Sequence, residues 1–342
     1  MHKITRKELD KTKMAATLDQ TRPDQTRPDQ SYAQIPVVAV VMSTYNGEKY
    51  LSEQIDSILA QKDVHVELFI RDDGSSDSTR NIISDYTRRY GNVHANFGEN
   101  VGAARSFVQA LALASGCEYY AFSDQDDYWE SKKLASAVKL IRQNENVQGK
   151  NLPILYYSNL NISDSRLNII RKTKLESRVH SLGSVITRRS LAGCSMMINA
   201  RLRELIESRS ITDDMLAQNH DSFIVSLAYS IGGVVICDAE AYIRYRQHGR
   251  NVAGSPLSLT GRIQKEWRNL KDDSGIEARI ARAILEAYGG EIVPESRSTL
   301  ETVAGYRENI ISRLKIVFSP EFRTGDFRLT LLGKVKALFG LL

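Results

Sequence analysis

Two kinds of phosphate-binding loop are missing from this 342-residue chain. No GxGxxG follows the first apolar run and no GxxxxGK[ST] occurs anywhere, so dinucleotide-binding and P-loop chemistry lose their main support. A nucleotide would have to be held by side chains and a metal instead. Cysteine is scarce: Cys117, Cys194 and Cys237 lie far apart in apolar stretches without CxxC spacing. That scatter predicts reduced core thiols in a cytosolic protein, not a disulfide framework. No apolar run approaches the ~20 residues of a membrane span, and the charged N-terminus lacks the apolar centre of a signal peptide. A cytoplasmic location is therefore predicted. Charge is nearly balanced, with 46 Lys and Arg against 41 Asp and Glu, too small an excess to argue for nucleic acid. It suits small anionic ligands or an anionic membrane surface.

Residues 1–34 are polar and carry the tandem repeat TRPDQTRPDQ, which cannot build a core and predicts a disordered leader. At Val37 the character changes. VVAVVM (37–42), VELFIRDD (66–73), VHANF (93–97) and YYAFS (119–123) are short apolar runs expected to be strands. Helical patterns at 48–61, after Asp77 as far as Tyr90, and at 101–114 separate them. Such alternation predicts a doubly wound, mostly parallel sheet with helices on both faces. Further strands are expected at 154–162, 166–173, 193–200 and 234–249, with a helix at 220–233. Amphipathic helices are expected to dominate after Ser258, so the domain limits predicted are 35–255 and 256–342.

In open sheets of this kind, ligands bind beyond the carboxyl ends of the strands. Here those ends read STYNGE, RDDGSSD, GENVG and SDQDD, all polar and each carrying a carboxylate. Asp124, Asp126 and Asp127 crowd like charges just where a buried strand should surface. One reading is a solvated turn whose Asp caps the next helix. The other is a hard cation, because Mg²⁺ or Mn²⁺ takes one or two carboxylates and completes its shell with water and phosphate oxygens. Asp221 in NHDSF likewise has two readings, a general base or a helix N-terminal carboxylate favoured by the helix dipole. Trp129 either stacks on a sugar or fills the core.

The segments VVMSTYNGEKYLSEQIDSILAQ, FIRDDGSSDST, ENVGAARSF and FSDQDDYW resemble family 2 glycosyltransferases of the GT-A (nucleotide-diphospho-sugar transferase) fold, over roughly residues 37–255. LAGCSMMIN, NHDSFIVSLA and YIRYRQHGRNVAG resemble its rhamnosyltransferase-like branch, which acts in bacterial surface-polysaccharide and O-antigen assembly. The resemblance implies that Thr44, Asn46 and Glu48 lie near base and ribose, and that Asp72 accepts the pyrimidine N3–H. It implies Asn100, Gly102 and Arg105 beside the nucleotide, Asp124 at the ribose, and Asp126 with Asp127 on Mg²⁺ or Mn²⁺. His248 would complete the metal shell or bond the diphosphate, and Arg246 would neutralise phosphate charge with Arg250 nearby. Asp221 becomes the catalytic base, with Asp213 and Asp214 as alternatives and His220 as an acceptor contact.

The activity so implied is inverting, metal-dependent transfer of L-rhamnose from a dTDP-sugar to a saccharide acceptor, lipid-linked in this pathway. Three rivals stay open: another hexose from a UDP- or dTDP-sugar, a non-catalytic nucleotide-sugar-binding subunit, and a nucleotidyltransferase. The C-terminal FRLTLLGKVKALFGLL, with Arg328, Lys334 and Lys336, reads as a basic amphipathic helix. It would lie peripherally on a membrane, or pack on its own domain or a homodimer partner.

Overall fold

The computed structural model describes residues 35–177, 181–187, 191–247 and 275–341. The leader, the 255/256 boundary, His248 and Arg250 lie outside the described residues.

Strand β1 (Val37–Thr44) is buried along nearly its whole length, and its alternation sorts side chains onto two cores. Val38, Val40 and Met42 join one apolar cluster, while Ala39 and Val41 join the other. A continuous β-branched run is what a strand covered on both faces requires. Parallel pairing places β2 (His65–Asp73) on one side of β1 and β4 (Tyr119–Ser123) on the other, with β3 (Val93–Gly98) outside β2. In register, Thr44 faces Asp72 and Met42 faces Ser123, so three strand ends finish at nearly one level.

Helix α1 (Leu51–Leu59) buries Leu51, Ile55 and Ile58 on one face of the sheet. Helix α3 (Ala103–Leu113) buries Phe107, Ala110 and Leu111 on the other. Helix α2 (Thr79–Arg89) follows β2, and α4 (Lys133–Gln148) lies on the α1 side through Leu134, Val138 and Ile141. Because chain order reverses between β1 and β4, the loops leaving them part and open a crevice, the usual ligand position in doubly wound sheets.

Beyond β4 the sheet becomes mixed. Its order is β3-β2-β1-β4-β8-β6-β9-β5, with β7 added on β6. The added strands are β5 (Tyr128–Trp129), β6 (Ile154–Ser163), β7 (Ile169–Lys172), β8 (Met197–Asn199) and β9 (Val234–Arg246). Strand β5 was not expected: the acidic turn folds back so that Tyr128 and Trp129 pair with Arg244 and Ile243 of β9. Only three residues of the segment 193–200 form β8, because Gly193–Ser195 tighten into a 3₁₀ turn before it and Ala200 already opens a helix.

Helices α5 (Leu182–Ile186), α6 (Ala200–Glu207), α7 (His220–Ser230), α8 (Ile276–Tyr288) and α9 (Pro294–Gly305) add to the α3 face, where Phe223, Ile284 and Leu300 share one core. With α8 and α9, helices α10 (Ile310–Phe318) and α11 (Phe327–Leu338) lie in the stretch 256–342 expected to be helical, and Ile284, Leu300, Ile316 and Ala337 join the core of the α3 face. Among the described residues no helix is long and apolar enough to cross a membrane.

Candidate active site

The loop after β2 is organised around two buried carboxylates. Asp72 is 0% exposed. Its Oδ1 accepts from Ser75 N at 3.0 Å and Arg80 Nε at 2.6 Å, and its Oδ2 accepts from Thr44 Oγ1 at 3.2 Å and from the Ser75 hydroxyl. Burial alone would raise this carboxyl, but the bonds from Ser75, Arg80 and Thr44 outweigh it and hold Asp72 below the usual carboxylate range. Asp73 accepts from Arg71 Nη1 at 2.6 Å, Val101 N at 2.8 Å and Gly102 N at 3.0 Å, fixing the loop before α3. Gly74 has φ 84°, and a Cβ there would lie 2.9 Å from Asn100 N, so this crossing of two loops needs glycine.

The loop after β1 is laced to both neighbours. Asn46, at φ 47°, donates its N–H to Ser75 Oγ at 2.9 Å and accepts from Ser76 N at 2.9 Å. Glu48 accepts from Ser78 N at 2.9 Å, beside the start of α2. Across the β1/β4 crevice, Gln125 accepts from Tyr45 N at 2.9 Å and donates to Tyr45 O at 3.0 Å. Arg105 reaches outward to the exposed Asp213, and Asp214 pairs with Arg279 at 3.3 Å.

The acidic turn after β4 is electrostatically unbalanced. Asp127 is 0% exposed; its Oδ1 accepts from Arg246 N at 3.1 Å, whereas Oδ2 has no hydrogen-bond partner. Donor atoms of Asp124, Asp127 and Cys194 all lie within 4.8 Å of one another. Burial, then the charges of Asp126 and Asp221, push the Asp124 carboxyl up to about 7. Burial, then the charges of Asp124 and Asp126, push Asp127 well up too. Nearby Lys133 is buried with its Nζ 3.6 Å from the Trp129 ring centroid, and burial pulls it down to about 7. With only a half-neutral amine beside them, these carboxyls are driven toward their neutral forms, and a cation would let them ionise. The hard oxygens and the orphaned Asp127 Oδ2 fit a divalent cation. Cys194 adds a soft ligand, although isolated cysteines in the sequence point only to core thiols.

Asp221 lies in the first turn of α7, which Asn219 caps through Ser222 N at 3.1 Å. The Asp221 carboxylate accepts from Ser222 N at 2.7 Å and Gly193 N at 3.0 Å and is only 7% exposed. Burial raises it to about 6 despite those bonds. Its charge is felt at Asp124, which ties the helix start to the acidic turn. His220 turns the other way, stacking on Phe107 at 4.0 Å; burial holds it neutral, down at about 3. A Cβ on Gly193 would meet His220 Nε2 at 2.7 Å, so the 3₁₀ turn approaches this helix as only glycine can. Trp129 is buried in the core.

Arg246 is 2% exposed and spends its guanidinium on protein groups. Nε donates to Asp126 O at 2.8 Å, Nη1 to Ser165 O at 2.7 Å, and Nη2 to Glu53, while the group lies 4.2 Å from the Tyr50 ring centroid. In this conformation the residue expected at the phosphates instead clasps the acidic turn.

The sequence model of glycosyl transferase family 2 matches residues 39–206. The dTDP-rhamnosyl transferase RfbG of Shigella flexneri is 30% identical over 270 residues, spanning 71% of this chain and 89% of that protein. The chain belongs to glycosyl transferase family 2. The acidic turn of residues 124–127 and the loops of Asp72 and Asn100 fall inside the matched region, while Asp221 and Arg246 fall beyond it. TuaG of Bacillus subtilis (strain 168), named for teichuronic acid biosynthesis, is 36% identical over 109 residues, 32% of this chain and 43% of its own length. Staphylococcus aureus TarS 1–349, solved with UDP, has a TM-score of 0.51 at 16% identity, covering 88% of each chain, a likeness of fold.

Proposed function

We propose that this glycosyltransferase inverts configuration, moving L-rhamnose from dTDP-β-L-rhamnose to a sugar hydroxyl of a lipid-linked surface-polysaccharide precursor at the membrane. The observation that carries the mechanism is Asp221, a buried carboxylate held by two backbone N–H groups at the start of α7, one of them from the 3₁₀ turn that bears Cys194. The rhamnosyl donor is supported by the name and long alignment of RfbG, and the polymer context by TuaG.

Asp221 takes the proton of the acceptor hydroxyl as that oxygen attacks the anomeric carbon. The bond from that carbon to the diphosphate oxygen breaks, its electron pair leaves with dTDP, and β becomes α. A pKa raised to about 6 suits the task, because the group is ionised at neutral pH yet basic enough to accept the proton. Asp124, Asp127 and Cys194, whose donor atoms gather, would hold Mg²⁺ or Mn²⁺, which supplies charge neutralisation for the departing diphosphate. Asp124 thus moves from the ribose role the resemblance implied to the metal, and Asp126 stands beside the cluster. Arg246 keeps Asp126 and Asp127 in place.

At the base end, an imide N3–H takes the position that Arg80 Nε holds on Asp72. Arg80 is the donor free to leave, since its side chain is 42% exposed while Thr44 and Ser75 are buried. Thymine and uracil share this N–H, so transfer of another hexose from a UDP- or dTDP-sugar is the second reading. Turnover of a panel of dTDP- and UDP-sugars separates the two. Release of dTDP from dTDP-rhamnose alone supports the first, and preference for a UDP-hexose replaces it with the second.

A further inference from the structure

We propose that α10 and α11 form a two-helix platform that docks on an anionic lipid bilayer. Of the twenty large apolar side chains exposed among the described residues, eleven lie between 310 and 341. Soluble surfaces scatter such groups, and a concentration of this kind marks a contact face. In α10, Ile310, Leu314 and Phe318 recur at i, i+4 and i+8, so they share one side of the helix. In α11, Phe327, Leu331, Leu332, Val335 and Leu338 fall within an arc of about 140° at roughly 100° per residue.

The charges say what covers that face. On the same helical wheel Lys334 lies about 20° beyond one edge of the arc and Lys336 about 40° beyond the other. Arg328 lies within it, with a stem long enough to carry its charge to a headgroup. No Asp or Glu occurs from 327 to 342. Large apolar groups rimmed by Lys and Arg match the acyl boundary and the anionic headgroups of a bilayer. A second copy fits worse, because a twofold contact through α11 would set these cations against themselves.

The platform is fastened to the catalytic body. Ile316, Phe322 and Ala337 turn inward to the core shared with α7. Between the two helices, Glu321 accepts from Gly183 N at 2.9 Å and its carbonyl accepts from Ser181 Oγ at 2.5 Å. Those residues begin α5, which packs on α7, the helix whose first turn bears Asp221. Docking would therefore hold the base at a set height above the lipid, which gives the lipid-linked acceptor of the preceding section its purpose here.

The test is cosedimentation of the full chain with phosphatidylcholine vesicles, with and without phosphatidylglycerol. Native protein should bind the anionic vesicles. The exposed-residue pair Leu331→Ser and Val335→Ser should weaken binding by at least about tenfold. The pair Lys334→Glu and Lys336→Glu should remove the preference for phosphatidylglycerol. No binding to either vesicle, or equal binding by native protein and both pairs, overturns the proposal. Self-association abolished by the serine pair, without vesicle binding, also overturns it and assigns the face to a second copy. The readout uses neither donor nor acceptor, so its failure leaves the sugar-transfer reading standing, and absence of rhamnosyl transfer to a soluble acceptor leaves the platform standing.

Discussion

Arg246 holds Asp127 from its backbone: the N–H donates to Asp127 Oδ1 at 3.1 Å, while the same residue's Nε donates to the carbonyl of Asp126 at 2.8 Å. One residue at the end of β9 thus fixes the Asp127 carboxylate and the Asp126 backbone after β4, with Glu53 of α1 closing the clasp from the other side. The acidic turn could not hold its shape through its own charges, which repel.

Removing the clasp should loosen the turn. Arg246→Ala leaves the Asp126 and Ser165 carbonyls without their donors, a loss of about 1–3 kcal/mol for each buried group that stays unpaired. Arg246→Lys keeps the charge but cannot reproduce the fork, so it should recover only part of the stability. Urea denaturation of the three proteins reads this ordering; a native-like midpoint for Arg246→Ala would dissolve the clasp.

Asp221 separates catalysis from binding. Asp221→Asn keeps the shape and removes the basicity, so kcat should fall by about 10²–10⁴ while dTDP affinity persists. A base works deprotonated, and burial raises this one to about 6. In the native enzyme kcat/KM should therefore climb with pH up to about 6 and level off above it. The variant should lose that limb. Asn219, not Asp221, caps this helix, and an amide at 221 can keep only one of the two backbone bonds. Replacing a merely structural Asp221 would therefore cost stability without removing the pH limb or most of kcat.

The acidic turn should need a cation. A chelator should abolish turnover, and Mg²⁺ or Mn²⁺ should restore it. Asp127→Asn removes a buried oxygen ligand and should weaken Mn²⁺ binding by about 10–100-fold in calorimetry, by analogy with the loss of a ligand's supporting partner. Cys194→Ser should spare Mn²⁺ and weaken Cd²⁺, because thiolates select soft ions. Equal effects on the two ions would remove Cys194 from the site.

Asp72 and Arg80 should oppose each other. Asp72→Asn should weaken dTDP binding by about 1–3 kcal/mol. Arg80→Ala frees the carboxylate oxygen that the imide needs and should leave dTDP binding unchanged or tighter. Loss of affinity in Arg80→Ala would instead make that arginine a ligand contact.

Much of this architecture was legible along the chain because its causes are local. A strand covered on both faces must be apolar at every position, which is why Val37–Met42 announces the sheet's centre. A parallel sheet gathers its carboxyl strand ends, so polar STYNGE, RDDGSSD and SDQDD had to meet at one edge. Asp221 stands two residues after a capping Asn, a pattern visible without coordinates.

The rest depended on pairings between distant segments, which leave no periodic trace. Cys194 enters the acidic turn only because β8 returns antiparallel beside β4, with Phe122 N donating to Met196 O at 3.2 Å. Arg246 becomes a clasp only because β9 pairs with the two-residue β5 next to the acidic turn it holds. His220 and Asp221 are adjacent, yet helical geometry sends one to Phe107 and the other toward Gly193 N. Residue type specified the chemistry available at each strand end; long-range packing decided which charges were left uncompensated, and an uncompensated charge is what a ligand answers.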